Sequence, residues 1–301
     1  MKQLNLTDFL KRYNTSEKCL EEIKNLRFPD GITCKKCKKV TSHYKIKGRM
    51  QYACQDCGTH IAPLAGSIFE KSTTPLTSWF YAMFLMINTR SGISAKQLER
   101  ELGVTYKTAW RMFHQVRKLM ADMDFEQLDG DVEIDETFIG GKGMNRRFVP
   151  NFSEKPKEVV MGMVKRGGKA YLRHIPNTGK YTLINQIDRY VSPKARIITD
   201  QYAGYTQLRK KGYRHETINH NVSYVRSGDI HTQNAENVWS HLKRGLFGVY
   251  RHVSKKHLQA YVDEFAFRYN NRNADDMFTE LLKQIPSIRL MRFASLSSKL
   301  S

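Results

Sequence analysis

Residues 132–141, VEIDETFIGG, decide the fold. Their β-branched and apolar residues read as a buried strand closed by a glycine pair, and Asp135 interrupts it with a charge. An acid inside an apolar strand is costly unless it has a task. A second run, ARIITD (residues 195–200), ends on Asp200 at the strand terminus, where ligands gather in open α/β sheets. Thirty-five residues further on, AENVWSHLKRG (residues 235–245) has helical pattern and opens with Glu236. Glu236 and Lys243 are seven positions apart, which at about 100° per residue places them on one helix face. Two strand-borne aspartates and a helix-borne glutamate are a donor set for two divalent cations over a phosphodiester. Glu133 shares a strand face with Asp135 and is the alternative ligand, whereas Glu136 faces the other side. Asn237 stands beside Glu236 as the alternative third member.

Working outward, strands are expected at 159–164, 170–175, 195–199 and 215–218, with a turn at Gly167-Gly168. Helices are expected at 183–191, 204–211 and from about 234 onward. That order, three strands and then alternating helices and strands, suits a mixed sheet flanked by helices. The fold class is α/β, with a ribonuclease-H-like domain over residues 126–290 and a tail over 291–301.

Upstream the grammar changes. Residues 1–30 read as short helices with Thr7 and Ser16 as N-cap candidates. Cys34-x-x-Cys37 and Cys54-x-x-Cys57 form two knuckles sixteen residues apart, the spacing of a closed, structural zinc site, so residues 31–70 read as a zinc ribbon. Cys19 is left over as a buried thiol. Residues 71–125 are helical, with a break at Ser91-Gly92. Within them Ser94 and Thr105 can cap two helices joined at Gly103, a helix-turn-helix pattern with Leu98, Leu102, Val104, Ala109 and Phe113 as its core. Thr105, Tyr106, Lys107 and Arg111 would then face a major groove, with Trp79, Phe80, Phe84 and Trp110 inside.

The chain carries fifty Lys and Arg against twenty-nine Asp and Glu, a formal net charge of +21 over 301 residues. Such an excess calls for a polyanionic partner, nucleic acid first. The longest apolar run, residues 79–87, is too short to span a bilayer, and the first residues lack the pattern of a signal peptide, so a cytoplasmic protein without a membrane partner is expected. The loop 142–157 is basic, and Arg146 and Arg147 are its DNA-clamp candidates.

With IITDQYAGY (197–205), HTQNAENVWSHLKRG (231–245) and HVSKKHLQAYVDEFAFRYNNR (252–272), the stretch 132–141 resembles bacterial insertion-sequence transposases of the ISXO type over about residues 31–272. The resemblance implies a DDE enzyme that cleaves the terminal inverted repeats of an insertion sequence and transfers the strand to target DNA. It makes Asp135, Asp200 and Glu236 the catalytic, Mg²⁺- or Mn²⁺-binding acids and Lys243 a basic partner. Two ends must be brought together, so a homo-oligomer is expected, held at the nucleoid through DNA. Two rivals use the same parts: a zinc-ribbon/helix-turn-helix regulator with an inactive domain, and a structure-specific nuclease.

Overall fold

The computed structural model describes residues 4–121, 126–140, 157–218 and 230–286. They form two compact units, one holding the chain up to Met120 together with the segment from Asn273, the other spanning Ala121–Arg272.

The first unit opens with α1 (Leu6–Arg12) and α2 (Ser16–Arg27). Asn5 and Thr15 cap them, because these are the residues in extended conformation whose side chains accept the N–H groups of Asp8 and Lys18. The expected caps, Thr7 and Ser16, lie inside the helices instead. Five short strands follow: β1 (Ile32–Thr33), β2 (Val40–Thr41), β3 (His43–Lys45), β4 (Tyr52–Cys54) and β5 (His60–Ile61). They pair antiparallel as β1-β2 and β3-β4-β5. Three helices complete the run: α3 (Leu76–Asn88), α4 (Ala95–Leu102) and α5 (Tyr106–Met120). Ala109, Met112, Phe113 and Val116 recur along α5 at helical spacing and are all buried. Ser94 accepts the Gln97 N–H, Thr105 accepts that of Thr108, and Gly103 closes α4 with a φ of 62° that favours glycine.

A late helix, Met277–Leu282, belongs to this unit and not to the sheet unit, which ends at Arg272 rather than near residue 290. The cause is apolar. Phe278 inserts among Phe9, Tyr13, Phe80 and Phe84, meeting Phe9 edge-on at 5.6 Å while Phe9 stacks on Phe84 at 4.5 Å.

The second unit is built on β6 (Asp131–Ile139), β7 (Glu158–Lys165), β8 (Ala170–Ile175), β9 (Arg196–Asp200) and β10 (Arg214–Ile218), in the order β10-β9-β6-β7-β8. The pairs β6-β7 and β7-β8 are antiparallel, and β9 runs parallel to both β6 and β10. The inner strand β7 is buried from Val159 to Val164, as a strand covered on both faces must be. On one face α6 (Lys180–Tyr190) packs on Val132, Ile134, Met161, Met163 and Ile197. On the other lie α7 (Gln233–Arg244), a π-helical turn Gly245–Tyr250 and α8 (Lys255–Asn270), against Val160, Val164 and Leu172. The helix expected at 204–211 is two 3₁₀ turns, Ala203–Tyr205 and Arg209–Lys211, stopped at Gly212. Among the described residues no helix is long and apolar enough to cross a membrane.

Candidate active site

Alternation along β6 sends Val132 and Ile134 to the α6 face and Glu133, Asp135 and Ile139 to the α7 face. The parallel ladder pairs Glu133 with Ile198, so Asp135 and Asp200 each stand two residues further along the same face of adjacent strands. Asp200 is steadied by the Tyr202 N–H, which donates to Oδ1 at 3.0 Å.

The helix contributes through Trp239. Its indole N–H donates to Asp135 Oδ2 at 2.8 Å, so the Trp239 stripe of α7 is the one turned to the strand. Counting about 100° per residue from Trp239, Glu236 lies roughly 60° away and Lys243 roughly 40° away, whereas Asn237 lies roughly 160° away. By this count Glu236 and Lys243 share the Trp239 side of the helix and Asn237 lies on the far side; for Glu236 the charge felt at Asp135 agrees. Burial raises the Asp135 pKa first, the Trp239 bond opposes it, and the charges of Asp200 and Glu236 raise it further. Glu136 projects to the opposite face, as alternation requires, and accepts the Tyr205 hydroxyl. Burial pushes its carboxyl up to about 7, with Asp135 and Asp200 adding to the rise.

Glu133, the alternative ligand from sequence, is otherwise engaged. Its side chain is fully buried. It accepts from Arg166 Nε at 2.8 Å, from the Asn234 N–H and Nδ2 at 2.8 Å each, and from the Ala235 N–H at 3.2 Å.

Gly162 pairs with Asp135 across β6-β7 and carries the Trp239 indole on its face. A Cβ there would come within 2.6 Å of Trp239 Cζ2 and 3.3 Å of Leu172. Gly162→Ala should cost about 1–3 kcal/mol in urea unfolding, the usual penalty of overpacking, and should displace the indole from Asp135. Unchanged stability with an unchanged tryptophan emission spectrum would refute this.

The cysteines converge too. The sulfurs of Cys34, Cys37, Cys54 and Cys57 lie within 4.8 Å of one another, with Cys34–Cys57 at 3.5 Å and Cys37–Cys54 at 4.0 Å. A tetrahedron with metal–sulfur bonds of about 2.3 Å needs sulfur separations of about 3.8 Å, so the quartet fits zinc. Each knuckle closes alike: the Lys38 N–H returns to the Cys34 carbonyl and the Gly58 N–H to that of Cys54, both at 2.9 Å. Among the described residues this is the only set of three or more metal-binding side chains gathered so closely; the three acids do not close on one point in the same way. His43 sits with Nδ1 2.8 Å from the Thr41 carbonyl, and Cys19 is buried with its thiol pushed up to about 12 by desolvation.

Comparison with known proteins matches residues 127–270 to the ISXO2-like transposase domain and residues 14–60 to the transposase zinc-ribbon domain. The chain belongs to the ISXO2-like transposases. A relative in Halobacterium salinarum, described as an uncharacterized protein in transposable element ISH50, is 25% identical over 283 residues, covering 86% of this chain and 92% of its own. Among solved structures, the transposase has limited similarity to the Mos1 strand transfer complex, with TM-score 0.29, 12% identity, and coverage of 69% of this chain and 75% of that one. A pre-cleavage Mos1 transpososome scores 0.26 at 10% identity over the same shares.

The remaining sequence candidates of the transposase divide. Thr105, Tyr106 and Lys107 are exposed at the start of α5. Arg111 instead turns inward, donating to Ser72 Oγ at 3.2 Å with its guanidinium 5.6 Å from the Trp79 ring centre. Trp79, Phe80 and Phe84 are core as expected, but Trp110 is 37% exposed, its ring 4.0 Å from that of His114. Leu98, Ala109 and Phe113 are buried, whereas Leu102 and Val104 are half-buried. Arg146 and Arg147 lie outside the described residues. Sequence reasoning missed the tasks of Glu133, Trp239 and Gly162. A glycine in the strand EVVMGMVK was the available signal, since it marks a close approach.

Proposed function

We propose that the chain cuts the terminal inverted repeats of an insertion sequence and joins the freed end to target DNA, with Asp135, Asp200, Glu236 and Lys243 as its catalytic residues. The observation that supports this is the Trp239–Asp135 hydrogen bond, which sets the Trp239 side of the helix, the side that carries Glu236, against an acid level with Asp200. Three neighbouring carboxylates, with the charges of Asp200 and Glu236 felt at Asp135, are hard oxygen donors whose mutual repulsion a divalent cation would relieve, so the donor set suits Mg²⁺ or Mn²⁺. When bound, such cations supply Lewis-acid stabilisation of charge on the attacking and leaving oxygens. Trp239 holds the Asp135 carboxylate in orientation. Lys243, exposed one helical stripe on, pairs with a DNA phosphate. In the first step a water oxygen attacks the phosphorus and the 3′-oxygen leaves. In the second that 3′-hydroxyl attacks a target phosphate and expels the target's own 3′-oxygen. The cysteine quartet holds one structural zinc, Thr105, Tyr106 and Lys107 contact duplex DNA, and Arg146 and Arg147 clamp it. Joining two ends calls for a homo-oligomer.

The test is a labelled duplex ending in the inverted repeat that flanks the gene, incubated with Mg²⁺ and a target plasmid. Joined product separates a transposase from a nuclease, which would cut without joining. Glu236→Ala should remove joining, while Asn237→Ala should stay within a few-fold of the parent. The reverse pattern would overturn the choice of third acid.

A further inference from the structure

We infer that Glu133 is a positioning residue that fixes the register of α7 against β6, and so sets where Glu236 stands relative to Asp135. The inference rests on the proposed reading of the acids. Glu133 lies two residues before Asp135 on the same strand face. The N-cap residue of α7, Thr232, makes no side-chain cap hydrogen bond, so the N–H groups at the start of the helix, that of buried Ala235 among them, need another acceptor. Glu133 Oε2 supplies it from the neighbouring strand, taking the N–H groups of Asn234 and Ala235, the two residues before Glu236. Oε1 takes Asn234 Nδ2 and Arg166 Nε, and His231 Nδ1 lies 3.2 Å away. Arg166 also donates to the His231 carbonyl at 3.0 Å, closing the loop entering the helix onto the same carboxylate.

A fully buried carboxylate is tolerated only when paired and hydrogen-bonded, and a helix N-terminus is a favourable place for it. The arrangement does more than satisfy that requirement. Glu236 is bracketed on α7 by two acids of one strand: Glu133 holds the residues immediately before it, and Asp135 holds Trp239 three residues after it. Sliding or rotating the helix would break both. Glu133 touches no reacting atom; it acts through the helix.

A buried charge can also be merely structural, so the control is Glu264. It too is fully buried, bonded to the Tyr250 hydroxyl at 2.7 Å and to Arg268 at 2.6 Å in the same unit. E133Q and E264Q are compared in the full-length protein for thermal stability, for Mn²⁺ binding by calorimetry without DNA, and for the Mg²⁺ concentration giving half-maximal strand transfer. Both variants should lose stability. Only E133Q should weaken Mn²⁺ binding and raise the Mg²⁺ requirement, each on the order of tenfold, the range seen when a supporting residue behind metal ligands is changed. If E133Q does not fold, E133D keeps the charge with a shorter reach and should show a few-fold loss on both readouts. Metal affinity in E133Q or E133D equal to that of E264Q overturns the inference. A parent protein that binds Mn²⁺ but joins no DNA would count against the proposed function, and leave calorimetry to decide the role of Glu133.

Discussion

Asp135→Ala should reduce cleavage and joining by about 10³-fold or more, while binding to the inverted repeat in a gel shift should stay at the parent level. The magnitude follows from the several kcal/mol that a correctly held cation contributes to charge stabilisation, at about 1.4 kcal/mol per tenfold. Folding should survive. Asp135 is a half-buried carboxylate under repulsion from Asp200 and Glu236, so its loss relieves charge at the expense of one hydrogen bond from Trp239, worth about 1 kcal/mol. Asp135→Asn sharpens the test because it keeps an oxygen for the indole and discards the charge. Both variants should melt within a few degrees of the parent and both should be inactive. Cleavage retained by either would remove Asp135 from the site.

The second large effect concerns the cysteines. The strands around them are two or three residues long, and short strands with so small a core do not hold themselves together. Structural zinc contributes about 10–16 kcal/mol of apparent binding energy in comparable small modules, and that energy is folding energy. The purified chain should carry one equivalent of zinc by native mass spectrometry. Cys54→Ser should lose it and become sensitive to protease between about residues 30 and 65, with the sheet unit remaining resistant. A zinc-free variant with an intact ribbon would show that its short strands need no metal.

Much of this was legible in the sequence because it is local. The alternation along residues 131–139 places the Asp135 side chain, the two C-x-x-C knuckles announce their own cluster, and the 236/243 spacing selects a helix face. What was not legible depends on which elements meet. Sequence gives the face of Glu133 but not that α7 ends against it, so a structural acid resembles a ligand. Trp110 and Arg111 share a helical pattern, yet α3 lies on the side of Arg111, drawing it to Trp79 and leaving Trp110 outside. The boundary near residue 290 failed for a similar reason. Met277–Leu282 is an ordinary apolar helix, and only the aromatic group around Phe9 shows which unit it completes.

That last helix gives the chain an unusual genetic vulnerability. Every candidate catalytic acid is encoded before Arg272, so a premature stop soon after that codon leaves the reaction centre's own unit complete. What it strips away is Phe278, a member of the aromatic group formed by the first dozen residues and α3. The lesion would fall after the last residue of the sheet unit, and the damage in the other unit, around Phe9 and Phe80.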